Sequence, residues 1–101
     1  MPRKNPVRGY TNQDSSWYTY TPIRHKTDAG VMVFTPDNLP SGGLWMKLYK
    51  HGGEAFTDVI HFTQVGKEKV VATDVKAGTK FHIAAHKGRG DDRFWSGSFY
   101  Y

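Results

Sequence analysis

Lys80-Phe81-His82-Ile83-Ala84-Ala85-His86 decides how this chain folds. Phe81, Ile83 and Ala85 fall on one side, and Lys80, His82, Ala84 and His86 on the other. An alternation of period two is the mark of a half-buried strand. Lys76-Ala77-Gly78-Thr79 before it supplies a glycine for a tight turn, and Lys69–Val75 reads as the preceding strand. Gly88-Arg89-Gly90-Asp91-Asp92 after it is a polar, glycine-rich loop, followed by an aromatic strand over 93–101. The last third is therefore three consecutive strands.

Working outward, four more strands are predicted. Ser-Trp-Tyr-Thr-Tyr-Thr at 16–21 is aromatic and β-branched, and Pro22 closes it. Gly-Val-Met-Val-Phe-Thr at 30–35 is the second, before a long loop at 36–43 broken by two prolines and two glycines. Leu44–Lys50 is the third, with Leu44, Met46 and Leu48 on one face and Trp45, Lys47 and Tyr49 on the other. Residues 56–63 are the fourth. No stretch shows helical periodicity. About seven short strands at roughly ten-residue spacing predict an all-β fold, a small antiparallel β-sandwich. The expected core is Val31, Val33, Leu44, Met46, Leu48, Ile60, Phe62, Val71, Val75, Phe81, Ile83, Trp95 and Phe99.

The chain has 101 residues, the length of one domain. Residues 1–15 read as a flexible basic arm, with Arg3, Lys4 and Arg8 ahead of the first acid, Asp14; residues 16–101 read as the sandwich. With no cysteine, no disulfide braces so small a core and no thiolate holds zinc. Fifteen aromatic residues must dominate the packing instead. No apolar run approaches the ~20 residues that cross a bilayer as a helix. Met1-Pro2-Arg3-Lys4 is a basic start without the apolar stretch of a signal peptide behind it.

The net charge of +5 favours anionic partners: nucleic acid, an anionic wall or membrane surface, or an acidic protein. Trp45 and Tyr49, with Lys47 between them, are a set of rings and a cation suited to stacking sugars, bases or a partner's side chains. Tyr100 and Phe94 lie on the outward phase of the last strand, which reads as an aromatic edge for pairing with another chain. Arg89 lies in the last loop and Arg93 directly after it, and both add positive charge. Arg89-Gly90-Asp91 matches the tripeptide of integrin ligands, but its residues are also those a turn requires.

His82 and His86 share a strand face, yet four residues of strand span ~13 Å, too far for one metal ion. Neither a metal site nor a cofactor is expected. None of the catalytic signatures G-x-S-x-G, H-E-x-x-H or a phosphate loop occurs, and the acids fall in turns and at strand ends, so no catalytic residue is assigned and the chain is not read as an enzyme.

The run Val75-Lys76-Ala77-Gly78-Thr79-Lys80-Phe81-His82-Ile83-Ala84-Ala85, followed by Trp95-Ser96-Gly97-Ser98-Phe99-Tyr100-Tyr101, resembles the C-terminal half of short exported proteins of Gram-positive bacteria. The basic, cysteine-free character and the Phe99-Tyr100-Tyr101 ending are similar to lactococcin-type bacteriocins. The resemblance spans about a third of the chain. It implies a secreted β-sandwich that acts on the envelope of competing bacteria.

The expected function is thus a secreted, basic binding protein without catalysis, antibacterial in its sharpest form. Its target is an anionic or carbohydrate-rich cell-surface partner, contacted by Trp45, Lys47, Tyr49, Tyr100, Arg89 and Arg93. One alternative is an interaction subunit pairing through its aromatic edge strand with a larger protein or with copies of itself. Another is a single-stranded nucleic-acid binder on an OB-like barrel.

Overall fold

The computed structural model describes residues 4–14 and 16–101. They form β1 (Lys4–Tyr10), β2 (Tyr18–Thr19), β3 (Arg24–His25), β4 (Gly30–Asn38), β5 (Leu44–Lys50), β6 (Ile60–Phe62), β7 (Lys69–Val75), β8 (Lys80–Lys87) and β9 (Phe94–Tyr100). Among the described residues there is no helix, and so none long and apolar enough to cross a membrane. Every strand pair is antiparallel. One sheet runs β1-β9-β4-β7; the other runs β2-β8-β5-β6, with β3 also on β8. The two sheets pack as a sandwich, as the alternating strands of the sequence require.

The strands number nine among the described residues where seven are expected, and the differences have physical reasons. Lys4–Tyr10, expected as part of a flexible arm, is β1, zipped along β9 from Lys4↔Tyr100 to Tyr10↔Phe94. Its polar composition suits an edge strand, whose outward side chains meet water. Only Val7 of β1 is buried in the core. Met1, Pro2, Arg3 and Ser15, the rest of the expected arm apart from residues 11–14, lie outside the described residues. Arg24 and His25, where no strand is predicted, make a second short pairing with β8, Arg24↔Phe81 and His25↔Lys80.

The core lies between the sheets. Phe34 of one sheet meets Phe62 of the other at 5.1 Å between ring centroids, and Phe81 meets Phe99 at 6.1 Å. Leu44, Met46, Leu48, Phe62, Val71, Val75, Phe81, Ile83, Trp95 and Phe99 are buried as expected. Ile60 is only partly buried. Val31 and Val33 are a correction: Met32 and Phe34 fill the core, while Val31 is 44% exposed. Four consecutive apolar residues leave alternation without a phase, and a one-residue slip exchanges the faces. The larger Met and Phe bury more area and take the inner side. Pairing of β4 with β7 shifts register on both sides of Met32.

Gly97 shows why the core strand β9 carries a glycine. A Cβ there would stand 2.4 Å from the Thr35 carbonyl oxygen and 2.5 Å from the Phe34 ring. The bare backbone is what lets Phe34 lie across β9.

β9 is flanked on both sides, by β1 and β4. The expectation of an aromatic edge strand at 93–101 is therefore overturned: its backbone groups are spent within the sheet. The edges are β1 and β7 in one sheet and β6 and β2/β3 in the other. The two sheets remain separate, so the OB-like barrel is also corrected to a sandwich.

Candidate functional site

The outward face of the five-stranded sheet carries the first group of expected contact residues. Trp45 pairs with His61 of β6 and His86 of β8, Lys47 with Ala84, and Tyr49 with His82. Directly opposed side chains on one face are close enough to touch. The His61 ring stacks on one side of the Trp45 indole at 3.8 Å and 9°, and the His86 ring on the other at 4.9 Å and 5°. Trp17 meets His86 edge-on at 4.5 Å. The Lys47 ammonium sits 4.2 Å from the Trp17 ring centroid and 5.1 Å from that of Tyr49, within cation–π range.

This ladder changes the part Trp45 plays. Both faces of its indole are covered by imidazoles, so no face is left to stack a sugar or a base. Burial lowers the pKa of His61 below the ordinary 6.5, and the positive charges of Lys69 and His86 lower it further. Its Nε2 is buried with no hydrogen-bond partner.

Two more histidines meet at the far end of the same face. His82 Nδ1 lies 3.0 Å from the Tyr20 carbonyl oxygen, which can only accept, so Nδ1–H donates and Nε2 carries the lone pair. That Nε2 is 2.9 Å from Nδ1 of His51, on the turn after β5. His82 and His86 stay apart on β8, as strand spacing dictates. Sequence spacing could not show His51 arriving from another turn.

The remaining expected contacts lie elsewhere. Tyr100 is on the outward face of the other sheet, opposite Lys4 and Val33. Arg89 and Arg93 stand in the β8–β9 loop, where Arg93 Nε donates to the Thr11 carbonyl at 2.9 Å. Lys87 continues the inward phase of Phe81, Ile83 and Ala85 and is buried, its ammonium donating to the Gly90 carbonyl at 2.7 Å. The six expected contact residues therefore do not converge on one site.

An open aromatic surface does exist, at β1 and the start of β9. Tyr10 is 62% exposed and its ring lies 5.3 Å from that of Phe94, its cross-strand partner. A cleft of about 380 Å³ opens beside the pair, walled by Asn38, Asp91, Asp92 and Arg93. On its other side a shallow hollow of about 420 Å³ is lined by Arg8, Gly9, Tyr10 and Phe94. Lys4, Pro6, Arg8 and Tyr10 are the exposed alternate positions of β1. The result is a strip in which rings, cations, carboxylates and an amide face water together. Tyr10 was missed because 1–15 carries no strand alternation; its single signal was an aromatic ring at the end of a basic stretch.

Comparison with known protein families, with curated proteins and with solved structures finds no match to this chain.

Proposed function

We propose that this protein is a non-catalytic binding module for an anionic, carbohydrate-rich surface, exported to act on a cell envelope. The observation that carries the reading is the Tyr10–Phe94 pair, two rings side by side with Tyr10 largely open to water. Exposed rings supply the flat apolar surface that the C–H faces of sugars pack on. Asp91, Asp92 and Asn38 are acceptors and donors for hydroxyls at the rim. Lys4, Arg8 and Arg93 supply long-range attraction to an acidic polymer. Action against competing bacteria is the sharpest form of this reading, in line with the resemblance of the C-terminal strands.

The test is calorimetry and sedimentation with purified cell-wall polysaccharide. Wild type should bind, and Tyr10→Ala should lose most of the affinity while keeping its fold by circular dichroism. Trp45→Ala, once shown to be folded, should bind as wild type does. Binding that survives Tyr10→Ala but not Trp45→Ala would return the contact to the histidine-clad face.

A second reading is a subunit that pairs with a protein. It is favoured by β7, an edge strand of seven residues whose outward Val70 is 51% exposed. Light scattering across a concentration series separates the two, because a monomer at high concentration removes self-pairing.

A further inference from the structure

We propose that His51 and His82 form a two-imidazole site for a late first-row transition-metal ion, copper(II) before the others. Three features carry it. First, their facing ring nitrogens, His51 Nδ1 and His82 Nε2, are already 2.9 Å apart. Second, His82 is held in the tautomer a metal needs. Its Nδ1–H donates to the Tyr20 carbonyl, which fixes the ring and leaves Nε2 basic. A backbone carbonyl on the second nitrogen is the usual support of a metal-binding imidazole. Third, the two ligands differ in freedom. His82 is on the central strand β8, while His51 is exposed on the turn after β5 and can swing to admit an ion.

The pair is close enough for both common coordination geometries. With metal–nitrogen bonds of about 2.0 Å, a right-angled bite sets two nitrogens about 2.8 Å apart, and a tetrahedral one about 3.3 Å. The 2.9 Å between the two facing nitrogens is the length of the N–H···N hydrogen bond that joins the rings, and a swing of the exposed His51 reaches either bite. The Irving–Williams order places copper above nickel and zinc for nitrogen ligands. On binding, the ion takes the place of the proton between the rings. The His51 proton moves from Nδ1 to Nε2 on the solvent side, so charge and protons balance. Among the described residues no group of three or more His, Cys, Asp or Glu is placed to hold a metal. The protein therefore supplies two ligands and solvent the rest, a site open to a further donor.

The test is titration of the full chain with copper(II) chloride in glycine buffer, a competing chelator that strips weaker adventitious copper. Calorimetry and electron paramagnetic resonance would read the result. One equivalent should bind with hyperfine structure from two nitrogens. His51→Gln and His82→Gln should each lower the affinity at least about tenfold, as loss of a ligand or its support does. His25→Gln should leave it unchanged, zinc should bind more weakly than copper, and acidification should release the ion because protons compete for imidazole. If His82→Gln fails to fold, His51→Gln, on an exposed turn, decides. Wild-type affinity in His51→Gln, loss of binding in His25→Gln, or zinc binding tighter than copper would each overturn the proposal.

Discussion

The indole N–H of Trp95 donates to the hydroxyl of Tyr20 at 2.7 Å, and that hydroxyl donates onward to the Tyr10 carbonyl at 3.0 Å. One phenol thus ties the β2–β3 segment to both β9 and β1. Gly9 makes room for it, since a Cβ there would lie 2.5 Å from the Tyr20 ring. Tyr20→Phe keeps the ring but orphans a buried indole donor. It should cost about 1–3 kcal/mol in urea unfolding, the range for an unsatisfied buried polar group.

Burial also pushes the Tyr20 hydroxyl up to about 12 from the usual 10. The folded state then keeps a proton that the unfolded chain gives up. This contribution is complete below pH 10 and is lost as pH rises from 10 toward 12. Melting temperature should fall across that window in wild type, and more gently in Tyr20→Phe.

His61 gives the opposite slope at the acid side. Its pKa is depressed in the fold, so the unfolded chain takes up a proton first as pH falls. Stability should be full above pH 6.5 and decline below it. His61→Phe retains a ring against Trp45 and should flatten the decline between pH 7 and 5, read by thermal melts. An equal slope in both proteins would mean that other groups govern acid stability.

Gly97→Ala sets a methyl against the Thr35 carbonyl and the Phe34 ring, both closer than atoms can approach. Overpacking of this kind typically costs about 1–3 kcal/mol. Chemical denaturation should place the loss at the upper end of that range, since backbone as well as side chain must shift.

Arg8→Ala should weaken binding to acidic polysaccharide at low salt and leave little difference at high salt. Exposed charges are screened beyond about 8 Å at physiological ionic strength. Affinities of both proteins measured across a sodium chloride series check this; parallel curves would remove Arg8 from the contact.

How much of this was legible in the sequence follows from how each strand is buried. β5 and β8 alternate cleanly because one face meets the core and the other carries Lys47, His82 and His86, so their phase could be read directly. In β4 the run Val31-Met32-Val33-Phe34 is apolar on both faces, and side-chain size rather than pattern chose the inner one. β1 has no apolar alternation at all; its place comes from backbone pairing with β9, which leaves no local trace. The candidate site was hidden for related reasons. Trp45 looked like an open platform because its two covering imidazoles come from β6 and β8. Tyr10 and Phe94, and likewise His51 and His82, meet only through pairings remote in sequence.

β1 has a single strand neighbour, and that neighbour is the last strand formed. Lys4–Tyr10 is synthesised before Phe94–Tyr100 and has no strand partner until that segment has followed. β4 waits too for one of its two partners. The order of folding is thus set against the order of synthesis. Closing so long a loop before the sheet rewards it predicts folding on the millisecond-to-second scale of β-rich topologies. Until then the Tyr10–Phe94 surface does not exist, so any partner that requires it recognises only a chain in which β1 has closed on β9.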